Sequence, residues 1–217
     1  MARSNLALLT GLHPVTNLTG DIDHVGVQIG HIPASNSTDL YIGDLVKMTG
    51  AGAGAVPVFS GNQPGGGVND PDFQTAISGQ YPDIAIHLAG DTADTWGVIV
   101  GFEYDGDLEK MGVKYSPAGV ERLARVYTDK SGVFYIPASA ALAANTIGQN
   151  ADVTARAPNK TYGGPGTYID VTTVGTTNTL PLRLLGPATM PGNDPTVPYA
   201  LWRVSLNTII DLNRTGI

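Results

Sequence analysis

The run Trp96-Gly97-Val98-Ile99-Val100-Gly101-Phe102-Glu103-Tyr104 is the densest stretch of strand-favouring residues in the chain. Branched and aromatic side chains suit a pleated, half-buried surface, and the run stops at the turn-forming Asp105-Gly106-Asp107. Downstream, residues 122–128 and 133–136 flank Asp129-Lys130-Ser131-Gly132, a spacing that predicts a hairpin. Residues 168–174, 181–185 and 201–206 read as closing strands. In the last, Trp202, Val204 and Leu206 share one face while Arg203, Ser205 and Asn207 share the other, the pattern of an antiparallel strand with one side in a core.

Upstream, the first clear strand is 41–48, broken by Gly50-Ala51-Gly52-Ala53-Gly54. Loop signals follow at Asn62-Gln63-Pro64-Gly65-Gly66-Gly67 and Asn69-Asp70-Pro71-Asp72. They define a long excursion over about 50–94, with 84–88 as a candidate strand inside it. Residues 1–40 show only the short alternation 24–30 and read as an extended N-terminal arm with one short strand. Five alanines, at 138, 140, 141, 143 and 144, predict one short helix before Gly148. The fold class expected is mainly β: a small antiparallel β-barrel or sandwich with long loops, one short helix and an extended arm, the arm being 1–40 and the β-rich domain 41–217.

Composition agrees with a turn-rich β protein. Of 217 residues, 28 are Gly and 15 Pro, and no repeat of constant period is present. Charged residues make up 14%, below the roughly quarter usual in soluble domains. The net charge is -7 and the 12 Lys and Arg are scattered, so no basic stripe exists to neutralise phosphates, and nucleic acid is not an expected partner. Cysteine is absent, which excludes disulfides, thiolate metal sites and cysteine nucleophiles. No run approaches the roughly 18 apolar residues of a membrane helix, and the start carries no export pattern. Synthesis inside a cell, with no membrane partner, is the expectation.

Motifs for chemistry are sparse. The glycine run at 50–54 leads into Val56-Pro57-Val58 with no following Gly-Lys-Ser/Thr, so it reads as a turn, not a phosphate loop. Acidic pairs occur at Asp21/Asp23, Asp70/Asp72, Asp91/Asp94 and Asp105/Asp107; the loop from Asp105 to Glu109 comes nearest to a cation site but lacks the full calcium-loop spacing. Solvated turn carboxylates are the ordinary reading. His13, His24, His31 and His87 form no HxH or HxxxH pair, and no Gly-x-Ser-x-Gly elbow is present. No catalytic, cofactor-binding or metal-binding residue is therefore assigned, no cofactor is expected, and an enzyme is not.

Ordered blocks across the chain carry a resemblance: 43–47 (Gly-Asp-Leu-Val-Lys), 97–102, 108–118, 125–129, 133–136, 147–152, 182–186 and 202–207. In this succession the chain resembles the head decoration (cement, or minor capsid) proteins of tailed bacteriophages, well over its C-terminal two-thirds and poorly over the first 40 residues. The excursion over 50–94 is longer than that family's pattern. The resemblance implies a β-rich structural virion protein, made in the bacterial host cytoplasm, that sits on the capsid exterior, commonly as a homotrimer, with the major capsid protein as its partner. The Asn-x-Ser/Thr matches at Asn17, Asn36, Asn159 and Asn213 then carry no glycans. A phage fibre, spike or head appendage that binds carbohydrate is the alternative. Far-ultraviolet circular dichroism should show a β-dominated spectrum; a helix content near the roughly one-third of an average domain would contradict the fold class.

Overall fold

The computed structural model describes residues 10–17, 26–49, 81–91, 94–103, 115–129, 131–155, 157–161 and 163–207. These form β1 (His13–Asn17), β2 (Val27–Ile32), β3 (Leu40–Tyr41), β4 (Leu45–Met48), β5 (Ile84–Ile86), β6 (Gly97–Phe102) and β7 (Tyr115–Ser116). They continue with β8 (Arg122–Tyr127), β9 (Gly132–Pro137), β10 (Asn150–Val153), β11 (Ile169–Gly175), β12 (Leu182–Pro187) and β13 (Leu201–Leu206). All strand pairings are antiparallel. One sheet has six strands in the order β1-β9-β13-β12-β10-β11, a second has five in the order β2-β8-β6-β4-β5, and β3 pairs with β7.

Why these runs become strands is visible in where alternate residues go. In β13, Trp202, Val204 and Leu206 are buried and Arg203 is exposed, as period 2 requires; Ser205, expected outside, is buried as well. Trp202 joins Phe134 and Ile136 of β9, Leu182 and Leu184 of β12, and Ala151 and Val153 of β10 in one apolar cluster. Leu45, Val98 and Tyr127 enter the same cluster from the five-stranded sheet. Their neighbours Val46, Ile99 and Val126 point the opposite way, into a second cluster with Ile32, Leu40, Ile84 and Trp96. The five-stranded sheet is thus apolar on both faces, which explains the unbroken apolar reading of β6. A bulge between Ile99 and Gly101 resets the alternation, so that Phe102 packs with the second cluster.

The five-stranded sheet curls. Its first and last members meet where His31 of β2 bridges Asp83, just before β5, and the His31 amide donates to the Pro82 carbonyl at 2.9 Å. That contact is a single bridge, not a ladder, and no sheet closes into a barrel among the described residues. Gly30 makes the curl possible, since a Cβ there would lie 2.8 Å from the Trp96 ring and 2.9 Å from the Ile84 side chain.

Several expectations change. The hairpin over 122–136 does not form: β8 pairs with β2 and β6, whereas β9 pairs with β1 and β13. The turn itself is as expected, with the Asp129 carboxylate accepting from the Ser131 amide and hydroxyl at 2.8 Å each, but it carries the chain from one sheet to the other. Tyr127 and Phe134 meet edge to face across that step, 5.6 Å apart. The strand expected over 41–48 is two strands, split at Gly43, whose φ of +94° no branched residue tolerates. The alanine-rich helix is reduced to one 3-10 turn, Ala144–Thr146. Its N-cap, Ala143, has no side-chain oxygen to cap the turn, and it buries no residue, so propensity has no packing to support it. Within 1–40, the described residues are built into the sheets instead of an arm: β1 edges the six-stranded sheet, β2 edges the five-stranded one, and Leu12, Ile32 and Leu40 are fully buried.

The excursion begins and returns at neighbouring rungs. β4 and β5 pair with Met48 opposite Ile84, and the Thr49 amide donates to the Asp83 carbonyl at 3.0 Å. Residues 50–80 thus connect the two strands of one hairpin, and the strand foreseen at 84–88 is realised as β5. Because Trp202 is 0% exposed at the centre of the shared cluster, Trp202→Ala should cost about 3–5 kcal/mol, read as a fall in the urea midpoint. Wild-type stability in that variant would contradict the packing.

Candidate functional site

Two histidines left unassigned by spacing alone become the chemical centres of the described fold. His31 lies in β2, buried, with Nδ1 at 2.6 Å from Oδ1 of Asp83 and Nε2 at 2.8 Å from Oε1 of Glu121. Asp83 precedes β5 and Glu121 precedes β8, 52 and 90 residues away respectively. Both ring nitrogens are satisfied, so the ring acts as a rivet holding the meeting edges of the curled sheet. Arg122, next to Glu121, donates to the Tyr115 carbonyl at 3.2 Å and stacks over the Phe102 ring at 4.8 Å, fixing the start of β8.

His87 is the opposite case. It follows β5, its amide donates to the Leu45 carbonyl at 2.9 Å, and its ring is buried with neither nitrogen hydrogen-bonded. Around it stand Lys47 of β4, Asp91 and Asp152 of β10. Lys47 Nζ pairs with Asp91 Oδ2 at 2.7 Å, the Leu88 amide donates to the same oxygen at 2.8 Å, and the Gly90 amide donates to Asp152 Oδ2 at 2.8 Å. Burial holds the His87 imidazole below its ordinary 6.5; Asp91 and Asp152 pull it back in part and Lys47 opposes them. Burial works to raise the Asp91 carboxyl, but the bonds from Lys47 and Leu88 outweigh it and hold that group below the usual carboxylate range.

A third feature is aromatic. Tyr199 is 41% exposed and is the one non-glycine residue with positive φ, +63°, among the described residues. Its amide donates to the Ala138 carbonyl and the Ala138 amide to the Ala200 carbonyl, both at 2.9 Å, clamping the conformation. Its ring lies 5.4 Å from that of the half-buried Tyr168.

The remaining sequence candidates divide between structural roles and positions outside the described residues. The 50–54 glycine run, Asp21/Asp23, Asp70/Asp72, the loop from Asp105 to Glu109, and His24 all lie outside them. Asp91 joins the His87 group, while Asp94 is placed elsewhere on the approach to β6. His13 donates from Nε2 to the Thr10 carbonyl at 3.0 Å; burial lowers its imidazole and that bond partly restores it. Asn36 Nδ2 donates to the Thr38 carbonyl and Asn159 Oδ1 accepts from the Thr161 amide, ordinary turn roles. Asp170 and Asp194 each accept from the amide and hydroxyl of a threonine two residues on, repeating the Asp129–Ser131 turn. Among the described residues no group of three or more His, Asp or Glu side chains is arranged to hold a metal ion.

No spacing rule points to the Asp83–His31–Glu121 rivet, because its members lie too far apart along the chain. His31→Leu should leave two carboxylates facing each other unmatched and cost about 2–4 kcal/mol, somewhat under the full figure for a broken buried pair because Glu121 is partly exposed. Arg125→Ala, which removes the bidentate but exposed pair with Glu103 at 2.6 and 3.2 Å, should cost under about 1 kcal/mol. Equal urea midpoints for the two variants would contradict this ranking. No protein-family model, no curated protein and no solved structure matches the chain.

Proposed function

We propose that the chain is a structural protein of a tailed-phage virion that binds the outer surface of the capsid and stabilises contacts between major capsid subunits, as a homotrimer. The supporting observation is how the family-like blocks fall on the fold. Seven of the eight coincide with β4, β6, the end of β8, β9, the start of β10, β12 and β13, members of both larger sheets, while the block over 108–118 is described only from 115 on, where it meets β7. The resemblance therefore follows the core framework and not one isolated motif. We take that framework to be a small curled sandwich, the finer form of an antiparallel β fold whose two larger sheets contribute to one apolar cluster.

The physical logic is that of surface burial. A decoration protein needs a rigid scaffold and several contact patches more than it needs a reaction centre. Standard interfaces bury about 1,200–2,000 Å², and a trimer repeats each patch, so that moderate single affinities combine. The scaffold supplies rigidity through a sheet that is apolar on both faces and riveted at its edge by His31.

A second reading, a fibre, spike or head appendage that binds carbohydrate, is favoured by one observation, the exposed Tyr199 ring set against the half-buried Tyr168 ring. Aromatic faces of this kind stack on sugars, although surface aromatics also serve protein contacts. The two readings separate in the virion. Capsid decoration predicts a copy number comparable with that of the major capsid protein, binding to pre-formed expanded heads, and a higher melting temperature for heads that carry the protein. Identical melting of heads with and without it, together with location at the tail tip, would replace the first reading with the second.

A further inference from the structure

The turn after β5 reaches the six-stranded sheet through a backbone amide. The Gly90 amide and Asp152 Oδ2, 62 residues apart, make the hydrogen bond that docks this turn on β10. The turn is closed on itself by the Asp91 amide donating to the Leu88 carbonyl at 3.0 Å and by Asp91 Oδ2 accepting from the Leu88 amide. Leu88, Ala89 and Gly90 are exposed, so little apolar area holds the turn down. Beneath it lies the His87 ring, 3% exposed and without a hydrogen bond at either nitrogen.

We propose that residues 87–91 form an acid-released latch between the sheets, docked on β10 while the His87 ring is unprotonated and freed when the ring takes up a proton. A neutral imidazole tolerates this site at a modest cost, but an imidazolium brings two N–H donors that find no acceptor and a charge whose burial Asp91 and Asp152 offset only in part. The carboxylates that act on the ring are already engaged. Asp91 Oδ2 holds Lys47 and the Leu88 amide, and Asp152 holds the Gly90 and Val153 amides. Hydrating the charged ring therefore requires the turn to lift, which breaks the Gly90–Asp152 bond. The charged groups acting on the ring are Lys47 on β4, Asp91 on its own turn and Asp152 on β10.

The sign follows from proton binding. The docked ring titrates below 6.5 and the released, solvated ring near 6.5, so the released state binds more protons across that interval. Docking is complete above 6.5 and weakens as pH falls below it. The latch lies beside Leu45, at the end of the β4–β5 pair away from the Thr49–Asp83 rung.

Amide hydrogen exchange of the full chain, followed by NMR at about pH 7.5 and about pH 5 and corrected for intrinsic exchange, tests the latch. Protection of the Leu88 and Gly90 amides should fall by up to about tenfold per pH unit below 6.5, while the Val204 amide in β13 keeps its protection. In His87→Phe, which cannot take up a proton, the pH dependence at Gly90 should vanish. Unchanged Gly90 protection in the wild type, the same loss in His87→Phe, or a parallel loss at Val204 would each overturn the proposal. If His87→Phe does not fold, the wild-type ring decides: an NMR titration midpoint below 6.5 supports the latch and one at or above 6.5 overturns it.

Discussion

The five-stranded sheet buries apolar side chains on both of its faces. Leu45, Val98 and Tyr127 point toward the six-stranded sheet, and Val46, Ile99 and Val126 point into the second cluster around Trp96. A sheet apolar on both faces cannot be stabilised by one partner layer alone, and the other features follow from this. Covering the first face takes the six-stranded sheet with Trp202 at its centre. Covering the second takes the curl itself, with Leu40 of β3 and Ile84 of β5 folded over the inside. The curl in turn brings two sheet edges together, and edges present unpaired polar groups. The His31 rivet and the backbone bond to Pro82 satisfy that meeting point.

Histidine at a buried junction has two outcomes in this molecule, and the difference lies in hydrogen bonding and not in burial. His31 and His87 are similarly buried. His31 faces a carboxylate at each nitrogen, whereas the carboxylates near His87 are engaged by lysine and backbone amides. The first arrangement fixes a geometry. The second stores a dependence on proton concentration.

Much of the framework was legible because the strands in question are long, strongly β-favouring and bounded by turn residues: β6, β11, β12 and β13 lie within a residue or two of their expected limits. What the local pattern could not express is partnership. The Asp129–Ser131 turn reads the same whether the chain folds back on its own strand or steps to another sheet, and here it steps. β1 was hidden by Pro14, which suits an edge strand and weakens a strand signal. The alanine segment shows the reverse error, in which propensity is present but no partner surface exists to bury a helical face. The two histidine centres were illegible for a related reason, since each is assembled from residues whose proximity exists only after the sheets have curled and stacked.

The rung that closes the β4–β5 pair has a mechanical side. Thr49 and Asp83 are held together at 3.0 Å across one rung, and Asp83 is also bound to His31, so the ends of the intervening segment are fixed by contacts that the segment does not supply. Asp83 thus serves two junctions at once, through its carbonyl the rung to Thr49 and through its carboxylate the edge where β2 meets the start of β5, so strain entering at either junction is passed to the other through a single residue.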